Sequence, residues 1–274
     1  MRDYKKKNNK KAARRTRKKK KREFTNIIPF LKKSVKLFVV SSGLLLSGAA
    51  VYGALLFVVS SEYFYLTNII IEGNRMSSRE EILASAGLRY GANTLLISVR
   101  ETGRKISALP WVRSVSIERR LPNMVKIDVK ERKPIAMVYL EDYYYIDEEG
   151  YIFAGADSVM GWNYPVLTGI SKANVLTEDE DTISLLDDGL QLIKYLGSRE
   201  GYISWSRVSE AVLDLKKGIT IYTTFENGIA VHLGREDLPG RVIRSEKALV
   251  DLKKKGVRAL GLEAAFDDRV VVII

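Results

Sequence analysis

The chain has 274 residues, of which 45 are Lys or Arg and 33 are Asp or Glu, giving a net charge of +12. It contains no cysteine, which excludes disulfides, thiolate nucleophiles and cysteine-based metal sites. His232 is the single histidine, so the chain has almost no imidazole side chains from which to build a Ser-His-Asp triad or a multi-histidine zinc site. It lies in an alternating apolar segment, which predicts a solvent-facing strand residue rather than a catalyst. We therefore predict no catalytic residue, no metal site and no cofactor.

The positive charge belongs to the N-terminal tail. Residues 1–36 hold 17 basic and 2 acidic side chains, which leaves 28 basic and 31 acidic side chains for the rest of the chain. We predict that residues 1–36 form a disordered cytoplasmic tail that sets membrane topology and contacts anionic headgroups. Nucleic-acid binding is the alternative, but no aromatic or fold motif accompanies the charge.

A charge-free segment follows the tail. Leu37–Ser61 contains no charged residue, and the 23 residues of Leu37–Val59 would span about 34 Å as a helix, enough to cross a hydrocarbon core of about 30 Å. The apolar region of a cleaved signal peptide is shorter, about 7–15 residues, and a buried core helix is seldom so free of charge. We predict one retained transmembrane helix over residues 37–61. The adjacent lysines, ending at Lys36, place the N-terminus in the cytoplasm and residues 62–274 outside.

The segment after the span predicts the order β-α-α-β-β. A short strand ends at Glu72-Gly73-Asn74, and a helix begins after Ser77 or Ser78 and ends at Gly87. Pro110 ends the second helix, and Leu121-Pro122-Asn123 joins two alternating strands. The apolar residues assigned to the second helix are Leu95, Leu96, Val99, Ile106 and Leu109.

The following region is richer in strands. A hairpin is predicted around Asp147–Gly150, and a helix carries Leu185, Leu186, Leu190, Ile193 and Leu196. Three alternating segments follow, joined through Lys217-Gly218 and Asn227-Gly228, and the Asn-Gly pair favours a type I′ hairpin. The segments are 211–215, 219–225 and 229–233.

The C-terminal segment predicts a helix followed by an edge strand. Asp237 caps a helix over Pro239–Lys255, and Gly256 ends it. Asp267-Asp268 forms a turn, and Arg269–Ile274 is a β-branched strand at or near an exposed sheet edge. The helix residues predicted to face the core are Val242, Ile243, Leu249 and Leu252.

Two motifs give this chain a resemblance to a known family. The stretch from Ala108 to Ala136 contains Leu-Pro-Trp-Val, then an Arg-x-x-Pro turn, then a strand closing in Glu-Arg-x-Pro-Ile-Ala. It resembles the end of the POTRA domain of the bacterial cell-division proteins FtsQ and DivIB. Tyr164–Gly169 resembles the Pro-Val-Leu-x-Gly segment of the same family, and Glu263–Asp267 stands where the family has Asp-Leu-Arg-Tyr-Asp, with Ala264-Ala265 in place of Leu-Arg. Trp111 is interpreted as a core anchor and Pro134 as an interdomain boundary.

The resemblance implies an α+β fold with a single transmembrane helix, a small β-α-α-β-β POTRA domain and a mainly antiparallel β domain with two helices. The corresponding domain boundaries are 1–36 for the tail, 37–61 for the span, 62–133 for the POTRA domain and 134–274 for the β domain. The implied protein is a non-enzymatic, single-pass divisome scaffold of the cytoplasmic membrane. Its β domain lies outside the cytoplasm at the division septum.

The resemblance also implies a partner site at the last strand. Partners of the FtsB and FtsL type would add a strand to this edge and link the chain indirectly to the septal peptidoglycan synthase. The predicted partner-binding residues are Phe266, Asp268, Arg269, Val270, Val271 and Val272, with Lys216 and Lys217 ranked below them. Replacement of Val271 by proline is expected to remove a ladder donor and abolish binding.

Other function classes remain open from the residues alone. A POTRA-type polypeptide-binding or envelope-assembly factor would need a downstream barrel, for which about 140 residues with two helices are too few. A membrane-anchored cell-wall hydrolase would need two acids lining a cleft, whereas Asp187-Asp188 and Asp267-Asp268 fit a helix surface and a turn. A nucleic-acid tether would depend on the basic tail.

Overall fold

The structure is a computed structural model and describes residues 27–156, 163–225 and 228–274. Its first element is helix α1, Ile27–Ser60, which contains the apolar segment. Within the described residues it is the one helix long and apolar enough to cross a membrane, over Leu31–Ser60. The helix begins ten residues before the predicted span, so residues 27–36 are helical rather than disordered. The charge-free segment thus continues a helix that already carries Lys32, Lys33 and Lys36.

The chain divides into two compact units, and the first contains α1. It also includes Tyr90–Ile97 and Leu121–Asn123. After α1, Ser61 caps a 3₁₀ turn over Glu62–Phe64. Backbone hydrogen bonds then join the three segments of this unit: Tyr65 bridges to Asn93, Leu66 donates to Ala92, and Thr67 donates to Asn123.

The second unit begins with a three-stranded sheet. Its strands are β1 (Asn68–Glu72), β2 (Val112–Arg120) and β3 (Met124–Glu131), in the order β1-β3-β2. β1 pairs with β3 in parallel, and β2 pairs with β3 in the antiparallel sense. This arrangement confirms the predicted β-α-α-β-β order. Alternate residues of the inner strand β3 are buried (Val125, Ile127 and Val129), and so is Ile69 of β1.

Helices α2 (Arg79–Ala86) and α3 (Val99–Ile106) pack against each other, and α3 packs on β2. Ser78 caps α2 by accepting a hydrogen bond from the N–H of Glu81, and Gly87 ends it in the left-handed conformation, as predicted. The second helix is shorter than predicted because Ser98 caps it anew. Leu95 and Leu96 therefore lie in a separate 3₁₀ turn, and Leu109 follows the helix.

A nine-stranded sheet forms the rest of the second unit. Its order is β12-β11-β10-β9-β8-β7-β4-β5-β6. Three neighbouring pairs are parallel (β4 with β7, β7 with β8, β10 with β11) and the other five are antiparallel, so the sheet is mainly antiparallel, as predicted. The strands are β4 (Pro134–Leu140), β5 (Asp142–Asp147), β6 (Ile152–Gly155), β7 (Val166–Thr168), β8 (Val208–Asp214), β9 (Gly218–Thr223), β10 (Ile229–Gly234), β11 (Gly261–Glu263) and β12 (Val271–Ile273).

Two long helices cover this sheet. They are α5 (Glu180–Gly197), preceded by the five-residue α4 (Lys172–Leu176), and α6 (Leu238–Lys255). Helix α5 packs on β4 and β8, and α6 packs on β10. Val242 and Leu249 of α6 are buried as predicted and Leu252 is partly buried, but Ile243 is exposed because it follows Val242 around the helix and faces away from the sheet. The predicted Asn227-Gly228 turn lies partly outside the described residues.

Trp111 packs against the buried cluster of Met137, Tyr145 and Ala154, which agrees with its interpretation as a core anchor. It is half-buried, and its ring centroid lies 5.5 Å from that of Tyr145 and 5.1 Å from that of Phe153. Nearby, Arg132 donates to the buried carboxylate of Asp147 at 2.6 Å. Because an unpaired carboxylate is costly to bury, Arg132 lets Asp147 occupy this position. Trp111 and Arg132 thus both contact residues of the β5–β6 hairpin.

We predict that Gly169→Ala destabilises the fold. Gly169 has a φ of +89°, and an added Cβ would lie 2.4 Å from the carbonyl oxygen of Leu213. Both effects oppose a side chain, so the free energy of unfolding should fall by more than about 1 kcal/mol. Thermal unfolding measures the change, with Gly155→Ala as the matched control because a Cβ there meets no atom within 4 Å. Equal losses in the two variants would contradict the prediction.

A candidate partner-binding edge strand

β12 lies at one end of the nine-stranded sheet as the described residues form it. It pairs with β11 through Gly261↔Ile273, Leu262↔Val272 and Glu263↔Val271. The predicted edge position of the last strand is therefore confirmed. An edge strand offers one row of backbone N–H and C=O groups that no neighbouring strand of the same sheet uses.

The register shows which residues of β12 face outward. The N–H of Ala264 donates to the carbonyl of His232 at 2.8 Å. Because backbone groups alternate along a strand, Leu262 and Ala264 direct their N–H and C=O groups toward β10, and Glu263 directs its groups toward β12. Glu263 pairs with Val271, and the carbonyl of Ile273 accepts the N–H of Leu260 at 2.7 Å. Backbone groups alternate along a strand, so Val271 and Ile273 point into the sheet. Val272 points its N–H and C=O away from it.

This orientation corrects the proline substitution expected from the sequence. The N–H of Val271 faces Glu263 and belongs to the internal ladder of the sheet. A proline at this position would therefore detach β12 from β11 instead of removing an outward donor. The donor available to a partner strand is the N–H of Val272.

The side chains of the strand alternate between the core and the outer face. Val270 and Val272 are partly buried against the main core, whereas Val271 and Ile273 are exposed. An added strand would extend both faces, because its side chains alternate in the same way. The edge therefore offers apolar neighbours on both faces.

The outer face next to Val271 carries a polar row across the strands. Thr220, His232 and Glu263 are aligned by the register, and Thr220 Oγ1 lies 2.9 Å from Nδ1 of His232. Nε2 of His232 lies 3.8 Å from a carboxylate oxygen of Glu263. His232 is thus a strand residue on the outer face with polar neighbours, as the sequence indicated.

The turn before β12 holds the remaining predicted partner residues. Phe266, Asp268 and Arg269 are exposed, and the guanidinium of Arg269 lies 5.2 Å from the centroid of the Phe266 ring. A cation over an aromatic face is attractive, so this pair stiffens an otherwise open turn. The turn presents one aromatic ring, one cation and two carboxylates, Asp267 and Asp268, beside the edge.

Arg241 anchors this turn, and the sequence analysis did not identify it. Its side chain is only 3% exposed, although arginine is rarely buried. One terminal nitrogen donates to the carbonyl of Leu233 at 2.8 Å, and the other donates to the carboxylate of Asp267 at 3.2 Å. Arg241 thus links the end of β10 to the turn that leads into β12.

A helical pattern could have identified Arg241. It is spaced four and eight residues before Ser245 and Leu249, so the three share one helix face, and all three are buried. A charged residue on an apolar stripe predicts a buried cation that needs acceptors. Only the structure shows that the acceptors come from β10 and from the turn.

Lys216 and Lys217 lie in the β8–β9 turn. Their backbone N–H groups donate to the carboxylate of Asp214 at 2.8 and 2.9 Å. These bonds, first that of Lys217 and then that of Lys216, hold the pKa of Asp214 below its usual range. The register places this turn at the end of the sheet where β12 begins, but three strands away, which is about 14 Å. The two lysines therefore belong to the same end of the sheet but not to the edge itself.

The part of the chain that the structure describes contains no group of three or more His, Asp or Glu residues placed to hold a metal ion. Asp187 accepts a hydrogen bond from Gln191 on the same helix, and Asp188 pairs with Arg235 at 3.3 Å. The two carboxylates thus have surface partners on or near α5. This matches the helix-surface interpretation of the pair.

Two family models match the chain. The first is described as "POTRA domain, FtsQ-type" and matches residues 64–132. The second is described as "Cell division protein FtsQ/DivIB, C-terminal" and matches residues 136–265. The second match runs from the third residue of β4 through β11 and ends before β12 begins.

Curated relatives carry the same names. The chain is 33% identical over 215 residues to the cell division protein FtsQ of Syntrophotalea carbinolica, covering 78% of this chain and 75% of the relative. It is 30% identical over 244 residues to FtsQ of Geotalea daltonii, covering 88% and 87%. The cell division protein DivIB of Clostridium acetobutylicum is 29% identical over 113 residues, 41% of this chain and 45% of the relative.

We predict that Arg241→Met loosens the edge strand. The variant leaves the carbonyl of Leu233 without its side-chain donor and frees Asp267, so the free energy of unfolding should fall by about 1–3 kcal/mol. Hydrogen exchange of residues 271–273 should accelerate more than exchange in α5. Lys247→Met is the matched control, because Lys247 is an exposed cation of the same helix. Unchanged exchange in β12 of the Arg241 variant would show that the turn is held by other contacts.

Proposed function

Because this chain belongs to the FtsQ/DivIB family of cell division proteins, we propose that it acts as a non-enzymatic scaffold that binds other division proteins through β12. Membership of the family supports a divisome role and a single-pass protein of the cytoplasmic membrane at the division site. The observation that carries the binding proposal is the outward row of backbone groups at Val272.

The proposed domain boundaries follow the same pattern. A POTRA domain over residues 62–133 and a β domain over 134–274 are supported by family matches that end at 132 and resume at 136. Pro134 begins β4, which fits a domain boundary because proline favours the first position of a strand.

The proposed partners are divisome proteins of the FtsB and FtsL type. A segment of the partner adds a strand beside β12, and the main-chain hydrogen bonds provide affinity. Val272 supplies the outward N–H and C=O, while Val270 and Val272 on one face and Val271 on the other provide the side-chain neighbours. Through these partners the chain would connect indirectly to the septal peptidoglycan synthase.

The turn adds specificity to the backbone pairing. Phe266 and Arg269 form an exposed cation–aromatic pair, and Asp268 adds a carboxylate beside it. A partner strand that continues past the start of β12, where this turn lies, would contact the turn first. Lys216 and Lys217 take a lesser part, because three strands separate their turn from the edge; their exposed charges favour an acidic partner segment by long-range attraction.

We also propose that the N-terminus lies in the cytoplasm and residues 62–274 lie outside. Lys32, Lys33 and Lys36 precede the charge-free segment, and basic residues next to a span are retained on the cytoplasmic side. The first charge after the span is Glu62, so no comparable cluster of cations opposes this orientation at the other end.

We predict that Val272→Pro weakens partner binding at least about tenfold, equivalent to about 1.4 kcal/mol. Proline removes the outward N–H and leaves a partner carbonyl without a donor, while the internal ladder uses Val271 and Ile273. Titration of the full chain in detergent with the extracytoplasmic segment of an FtsB-type protein measures the affinity. Val272→Ile is the matched control, because it keeps the N–H and the β-branched shape.

A second variant tests the backbone orientation. Val271→Pro should lower the free energy of unfolding, because it breaks a bond to Glu263, whereas Val272→Pro should change it little. Wild-type affinity in the Val272→Pro variant would refute the edge proposal.

We predict that a reporter fused after Ile274 is active only outside the cytoplasm. Alkaline phosphatase at this position should be active, and β-galactosidase at the same position should be inactive. The reverse pattern would place the ectodomain inside and overturn the proposed orientation, without bearing on the edge strand.

A further inference from the structure

The end of helix α1 is hydrogen-bonded to two loops that are distant in the sequence. The side-chain amide of Asn93 donates to the carbonyl of Val59 in the last turn of the helix, and its oxygen accepts the N–H of Leu95 at 2.8 Å. The N–H of Leu66 donates to Ala92 at 2.8 Å, and the N–H of Thr67 donates to Asn123 at 3.0 Å. The segments 61–67, 90–97 and 121–123 therefore form one body with the end of the helix, in agreement with the first compact unit.

The position of Val59 fixes the depth of this body in a membrane. The apolar segment Leu37–Val59 measures about 34 Å as a helix, which matches a hydrocarbon core of about 30 Å. Val59 therefore lies at the edge of the hydrocarbon. Headgroup layers bring the bilayer to about 40–45 Å, which leaves about 5–7 Å on each side. Asn93, which is bonded to Val59, lies within this layer.

The composition of the three segments fits such a layer. Glu62 is the only charged residue among the 18 residues of 61–67, 90–97 and 121–123, in a chain that is 28% charged overall. The segments nevertheless expose large apolar or aromatic side chains, each between 58% and 67% exposed. Tyrosine is enriched at membrane interfaces, where the ring lies among the headgroups, and leucine adds apolar area. We call these four side chains the collar: Tyr63, Tyr90, Leu96 and Leu121.

We propose that the collar is a second membrane contact, which inserts into the headgroup layer of the leaflet from which α1 emerges. The occupant is the phospholipid interface rather than a partner protein, because the hydrogen bond from Asn93 to Val59, with the backbone bonds of Leu66 and Thr67, holds the collar at interfacial depth whether or not a partner is bound. The contact is apolar, so salt should leave it unchanged, unlike attachment through cations. This proposal rests on the membrane span of α1 and is independent of the partner site at β12.

Single spin labels can test the depth of the collar. The chain contains no cysteine, so Leu96→Cys or Leu121→Cys introduces one attachment point in the full-length protein. Each labelled protein is reconstituted alone into vesicles of phosphatidylethanolamine and phosphatidylglycerol, which removes any partner. Power saturation then compares the accessibility of the label to oxygen, which concentrates in the bilayer, with its accessibility to a nickel chelate, which stays in water.

Two reference positions define the scale. A label at Leu46 lies within the span, and a label at Leu176 replaces an exposed leucine of the second unit. We expect the ratio of oxygen to nickel accessibility at positions 96 and 121 to exceed that at 176 severalfold, to stay below that at 46, and to persist in high salt.

Three results would overturn the proposal. If the labels at positions 96 and 121 give the same water-like ratio of oxygen to nickel accessibility as the label at 176, the collar lies in solvent. A membrane-like ratio at 176 would show that the contact is not particular to the collar, and a loss of the signal in high salt would assign it to charge. A water-like ratio at 46 would refute the span itself.

Discussion

A strand within a sheet pairs its backbone on two sides, whereas a strand at the edge leaves one row of N–H and C=O groups without a neighbour in that sheet. In this sheet the constraint falls on the two end strands, β6 and β12, and β12 has only three residues. A strand this short has few bonds of its own to hold it in register. Arg241 compensates by linking Leu233 to Asp267, so the edge is fixed from the turn that precedes it. The proposed partner recognition at Val272 depends on this arrangement.

The elements set by local interactions could be predicted from the sequence. Ser78 and Gly87 define α2, and Asp237 and Gly256 define α6, because each cap is formed by a side chain or a left-handed residue next to the helix it ends. The β-branched residues at the C-terminus predicted a strand, and its position at the end of the chain favoured an edge. Both predictions are confirmed, the strand by β12 and the edge position by the strand order of the sheet.

The features set by non-local pairing could not be predicted. The direction in which the N–H and C=O of Val272 point depends on the pairing of β12 with β11. The orientation of β11 is fixed in turn by its parallel pairing with β10 across helix α6. The sequence therefore identified the edge strand, but the proline test was placed at a residue whose N–H belongs to the internal ladder. Arg241 and Asn93 were missed for the same reason: their side chains bond to carbonyls 8 and 34 residues away, and composition carries no record of those bonds.

The small size of the edge determines how the scaffold can work. Three residues of strand bury little area, and interfaces of low area are weak on their own. If the partner is anchored in the same membrane, however, its diffusion is confined to a thin layer next to that membrane. Its effective concentration at the edge would then be high without any added contact. The hydrogen bonds that join the collar segments to the last turn of α1 would act in the same direction, because they hold these segments near the membrane. A weak, reversible edge contact would then be sufficient for the proposed binding of division proteins.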